Sequence, residues 1–171
     1  MHEYIQTRFK DATATGKAEQ FISDATERHN RISVRPHLSP QHHADYTNEG
    51  TTIVYKVSNQ GLGPAVIKSV QLFLDKEPFE IGEDPIESIT TAVFGETPGF
   101  AVKSQAWMKA GYALPEKTDY EYGTLWFQGM DKSHYPSIEV GFNRMDIRIE
   151  YESFYEERFV FDSRDEPNVE A

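Results

Sequence analysis

A chain of 171 residues with 28 acidic and 17 basic side chains, net charge −11, repels phosphate backbones and anionic headgroups, which argues against a nucleic-acid partner. It has no cysteine, and therefore no thiol chemistry, no disulfide and no cysteine-ligated zinc or iron. With 38% hydrophobic residues it has enough material for one globular domain whose core needs no cofactor.

Residues 1–30 read as a helical lead-in. Ile5, Phe9, Ala12, Ala18, Phe21, Ile22 and Ala25 recur at three- to four-residue spacing and form one thin apolar stripe. Gly16, flanked by Thr13 and Thr15, weakens the middle by about 1 kcal/mol for the glycine alone. The pattern predicts two helical segments or one frayed helix, acting as a stalk and a possible homodimer contact. No apolar run approaches the roughly 20 residues that span a bilayer. The opening "MHEYIQTRFKD" also lacks the apolar centre of a signal peptide, so the chain as written reads as soluble.

From Ile32 the period changes to two, and residues 31–163 are expected to form the main domain. "ISVRPHL" predicts an edge strand, because Pro36 cannot donate to a ladder. "HLSPQHHAD" reads as a polar loop. "TTIVYKVSN" places Ile53, Tyr55 and Val57 on one face. "AVIKSVQLFLD" places Val66, Val70, Leu72 and Leu74 on one face and Ile67 and Phe73 on the other, as expected of a central strand.

Between those two strands lies "NQGLGPA", which differs from a phosphate loop at two points. Val66 stands where the third glycine of Gly-x-Gly-x-x-Gly belongs, and Pro64 lacks an N–H to donate. It reads as a structural turn: Gly61 or Gly63 supplies a positive φ, Pro64 stiffens the exit, and Asn59 bonds the local backbone.

"DPIESITTAVFG" predicts one short inserted helix, with Asp84 and Glu87 as a capping box, Pro85 at its first position and Gly95 at its end. Strand signals resume at "FAVKSQAWM", "GYAL", "TLWF", "MDIRIEY" and "ERFVFD". Residues 164–171 are charged and read as a disordered tail. The set predicts a mainly β protein, an antiparallel β-sandwich with an N-terminal helix and one short inserted helix.

Candidate chemistry is sparse. His37, His42 and His43 with Asp45 are metal-ligand types, but no HExxH or His-x-His spacing supports them, so no metal or other cofactor is expected. Glu150 and Glu152, with Glu156 and Glu157 following, would stand roughly 7 Å apart on one strand face, a separation compatible with paired glycosidase acids. Trp107 and Trp126, with Tyr112, Tyr120 and Tyr122, are weak candidates for a sugar-stacking platform. No Gly-x-Ser-x-Gly elbow is present, and no catalytic residue is assigned.

Two stretches carry a resemblance. "YKVSNQGLGPAVIKSVQLFLD" and "IRIEYESFYEERFVF" resemble a strand–turn–strand motif and a closing hairpin in a group of uncharacterised bacterial membrane-anchored proteins. The resemblance implies an immunoglobulin-like extracytoplasmic domain behind a transmembrane helix, in the periplasm and anchored to the inner membrane, and it transfers no catalytic residue. The expected function is a non-enzymatic interaction or sensing module for an unknown protein or cell-envelope component. A carbohydrate-active or carbohydrate-binding domain is the alternative, and a cytosolic assembly protein is the third reading.

Overall fold

A computed structural model describes residues 2–80 and 82–165, with side chains from residue 16 onward. The first helix, α1 (His2–Ile32), is a single uninterrupted helix rather than two segments. Gly16 meets nothing within 4 Å, so only its intrinsic propensity is lost there. Pairs four residues apart offset that loss: Gln20 donates to Asp24 at 2.8 Å, and Arg31 meets Glu27 at 2.6 Å. The expected stripe positions Ile5, Phe9 and Ala12 lie outside the described side chains.

The strands β1 (Leu38–Tyr46), β2 (Gly50–Asn59), β3 (Ala65–Leu74) and β4 (Glu77–Phe79) precede helix α2 (Pro85–Phe94). Then follow β5 (Phe100–Gln105), β6 (Ala113–Leu114), β7 (Thr118–Gln128), helix α3 (Tyr135–Phe142), β8 (Met145–Glu152) and β9 (Arg158–Asp162). One antiparallel sheet has the order β1-β2-β7-β5; the other has β4-β3-β8-β9, with β6 also pairing β3. Val57 and Leu38 from the first sheet pack with Ile67, Leu72 and Ile149 from the second in one buried core. The protein is thus a mainly β, two-sheet sandwich.

Several expectations are corrected in detail. The edge strand starts at Leu38, not Ile32, because α1 continues through Ile32. Its proline is Pro40, opposite Val57, and the histidine-rich stretch read as a loop is that strand. An edge position tolerates Pro40 because the missing N–H has no ladder partner to serve. A second inserted helix, α3, follows a 3-10 turn (Lys132–His134) that Asp131 caps through Ser133 N at 2.9 Å. Pro136 at the start of α3 was its sequence signal.

In β3 a bulge between Ile67 and Ser69 shifts the alternation by one residue. Ile67 therefore shares the buried face with Val70, Leu72 and Leu74, while Val66 does not. Phe73, on the other face, is covered by the Arg164 guanidinium 3.6 Å from its ring centroid, so defined contacts reach that residue of the expected tail. Residues 166–171 of the tail lie outside the described residues.

The capping box of α2 does not form either. Asp84 makes no side-chain cap; instead Gln105 on β5 accepts from Glu87 N at 3.0 Å and donates to the Glu87 carboxylate at 3.2 Å. The helix start is fastened to the sheet edge rather than to itself. Gly95 is right-handed, with φ −59°, and its N–H bonds Thr91 O as one more helical residue would.

The glycine turn has a different logic from the expected one. Neither Gly61 nor Gly63 is left-handed; glycines with that geometry lie elsewhere, at Gly99, Gly111 and Gly129. The β1–β2 ladder continues past Leu38 and Asn59, with Gln60 N bonding His37 O at 2.8 Å and Leu62 N bonding Arg35 O at 2.9 Å. That pairing brings the Val34–Pro36 backbone directly against the turn. A Cβ on Gly61 would lie 2.5 Å from Pro36 Cα, and one on Gly63 would strike the Val34 carbonyl. Close backbone approach is what requires glycine here.

Asn59 is wholly buried and holds this junction. Its Oδ1 accepts from His37 N and Gly61 N, each at 3.1 Å. Its Nδ2 faces the carbonyls of Gly63 at 2.8 Å, Leu114 at 3.1 Å and Pro115 at 3.1 Å. One amide therefore ties the approach from α1, the turn, and the segment linking β6 to β7.

Candidate functional site

At the edge of the space between the sheets, on the side that carries both inserted helices, lies a pocket of about 150 Å³ that is partly open to solvent. Alternation sends Tyr55 and Val57 of β2 and Leu125 of β7 inward from one sheet, and Leu72 of β3 and Ile147 of β8 inward from the other. Helix α2 adds Ile86 and Ile89, and Phe142 at the end of α3 closes one side. Irregular β7 geometry makes room for α2: the register shifts opposite Tyr55 and Lys56, and Gly123 faces the helix. A Cβ on Gly123 would stand 3.0 Å from Ile86 Cγ2. Gly141 similarly lets α3 meet α2, since a Cβ there would strike the Phe94 ring.

The polar groups on this wall differ in how they are satisfied. Thr90 donates to Ile86 O at 2.7 Å, and Ser163 donates to Asp146 at 2.8 Å. Lys56 is paired with Asp119 at 2.6 Å. Tyr122 is 4% exposed, and its hydroxyl has no hydrogen-bond partner among the described residues. Burial pushes the Tyr122 hydroxyl well above the ordinary tyrosine range, aided by Tyr120. Burial does the same at Tyr55, with Tyr135 and Glu139 adding to it. Both hydroxyls keep their protons throughout the physiological range.

The residues singled out in the sequence do not converge. His43 bonds Asp45 at 2.9 Å on the exposed side of β1, while His42 meets the Tyr135 hydroxyl at 2.9 Å and stacks on Tyr55. His37 is exposed and contributes its backbone N–H to Asn59. No three histidine or acidic side chains gather with metal-site geometry among the described residues. Glu150 pairs with Arg148 at 3.0 Å. Glu152 lies between Lys68 at 2.6 Å and Arg158 at 3.4 Å, and the hydrogen bond from Lys68 holds its carboxyl below its usual range. Each acid is engaged by its own cation.

Trp126 belongs to β7 of the first sheet, with Lys103 over its ring, whereas Glu150 and Glu152 belong to β8 of the second. Trp107 packs on Tyr122 at 5.9 Å, and Tyr122, Tyr120 and Tyr112 continue as an edge-to-face row. Trp107 and Trp126 are both half-buried.

No family model, curated protein or solved structure matches the chain. The site is therefore read from its own residues. Sequence reasoning missed Ile86, Ile89 and Phe142 as cavity walls and considered Tyr122 only as part of an aromatic surface. The available signals were the apolar spacing of "PIESITTAVF" and of "YPSIEVGF", both recognisable as short helices with a buried face.

Proposed function

We propose that the chain is a non-enzymatic interaction or sensing module with an immunoglobulin-like domain, forming the extracytoplasmic part of a bacterial membrane-anchored protein. The supporting observation is α1, a helix of 31 residues exposed at every position from 16 to 30. At 1.5 Å per residue it extends about 46 Å. It carries Phe21 at 74% and Ile22 at 64% exposure, an apolar pair with nothing to bury it in the isolated chain. Phe154 and Tyr155, also exposed, lie on the hairpin beside the point where this helix joins the sandwich; Arg31 reaches over the Tyr155 ring. The resemblance of residues 55–75 and 147–161 to extracytoplasmic bacterial domains supports the location.

Fractionation of native cells tests the reading. The protein should sediment with the inner membrane and be digested by protease added to spheroplasts. Recovery in the cytosol, protected from protease, refutes it.

The stalk role has its own test. Deleting residues 1–30 is expected to leave a soluble sandwich whose thermal midpoint, followed by circular dichroism, lies within a few degrees of the parent. Aggregation or loss of the cooperative transition would assign α1 to the core.

A further inference from the structure

Residues 16–30 of α1 are exposed, yet the apolar side chains of this stretch and of Ile32 are not scattered around the helix. At 3.6 residues per turn, Ala18, Phe21, Ile22, Ala25, His29 and Ile32 fall within an arc of about 100°, with no acid, lysine or arginine among them. We propose that this stripe is a seam through which α1 pairs with α1 of a second copy of the chain, parallel and in register.

Charge points to a second copy. The helix carries five acidic and five basic side chains, so the net charge of −11 resides on the residues outside it. Two copies of so acidic a chain meet with least repulsion along this neutral element. Most helical stability in proteins comes from packing of an apolar face, so a partner on the stripe also stabilises the helix itself.

The flanks of the stripe set the direction. Lys17 and Arg28 lie beside the Phe21 edge, whereas Glu19 lies beside the Ile22 edge. Asp24, further round on the Phe21 side, already accepts from Gln20 at 2.8 Å. In a parallel pair each flank faces the opposite flank of the partner, so the cations meet Glu19; in an antiparallel pair cations face cations. Ile22 and His29, seven residues apart, occupy equivalent seam positions. A β-branched residue there suits two strands, and a polar one fixes register at a cost in stability.

The contact is small. A helix about 46 Å long presents a strip about 10 Å wide, so pairing covers roughly 1,000 Å² over both copies, below the ~1,200 Å² of a standard interface. Association is therefore expected in the range of tens to hundreds of micromolar, on the order of −5 to −6 kcal/mol. The inference does not depend on where the protein resides.

The chain has no cysteine, so single cysteine variants of the full chain report the pairing without background. Under mild oxidation at 200 μM, Ala18→Cys and Ile32→Cys, fourteen residues apart, should each form a disulfide-linked dimer. Ser23→Cys, on the opposite side of the helix, should link at least fivefold more slowly. Linkage at only one of the two seam positions overturns the parallel register, and equal rates at all three positions overturn the seam. Sedimentation equilibrium of the unmodified chain should show mass rising toward that of a dimer up to 1 mM. Ile22→Arg, at an exposed position, should keep the thermal midpoint of the sandwich and stay monomeric. A parent that is monomeric at 1 mM, or a variant that dimerises as the parent does, overturns the proposal.

Discussion

Replacing Asn59 by alanine is expected to lower stability by roughly 3 kcal/mol or more, read as a fall of about 10 °C in the thermal midpoint. The side chain is fully buried, and its amide serves two N–H groups and three carbonyls. Alanine strands these groups where water does not replace the amide, and each stranded group costs on the order of 1–3 kcal/mol before relaxation. Asn59→Asp should be worse at neutral pH. A carboxylate still accepts from His37 N and Gly61 N but turns an oxygen toward the carbonyls of Gly63, Leu114 and Pro115. Those carbonyls raise its folded-state pKa above the unfolded value, so its stability is greatest at acid pH and is lost as pH rises through the folded pKa. Urea titrations at pH 4 and pH 7 separate the two variants. A loss under 1 kcal/mol for Asn59→Ala would remove the residue from its place as the tie of the junction.

The second large effect is expected at Gly63. Its alanine variant drives a Cβ into the Val34 carbonyl, with Val34 C only 2.8 Å away, and both obstacles are backbone. Separating the turn from Val34 must then lengthen the neighbouring bonds of Leu62 to Arg35 and Gln60 to His37. A loss of about 3 kcal/mol is expected, at the upper end for overpacking, because no rotamer change relieves it. Gly16→Ala is the matched control: its position in α1 is open, so it should gain up to about 1 kcal/mol of helix propensity and leave the sandwich transition unmoved. If Gly63→Ala melts with the parent, the close approach is not rigid.

Legibility followed local chemistry. The inward faces of β2 and β8 could be read because Ile53, Tyr55 and Val57, and likewise Ile147, Ile149 and Tyr151, alternate without interruption. In β3 the same reading failed at one residue, since a bulge leaves no mark in the sequence beyond the polar pair Lys68 and Ser69. The asparagine of the turn was read as a partner of the local backbone, and its amide bonds Gly61 N and Gly63 O. The reason for its glycines was not visible, because what crowds Gly61 and Gly63 is a segment some 25 to 30 residues earlier, brought there by strand pairing. The cavity was hidden for a related reason. Tyr122, Ile89 and Phe142 lie in three different elements and line one pocket only when α2 and α3 seat against the sheets.

The junction after α1 also decides how the molecule bears a load. A pull transmitted along the helix reaches the sandwich through Val34–Leu38, and this stretch is stitched to residues 59–62 by several hydrogen bonds side by side. Asn59 passes the strain onward to the segment carrying Leu114 and Pro115, and through β6 to the second sheet. A force applied along the helix would therefore load both layers together, rather than peel β1 from its neighbour one rung at a time.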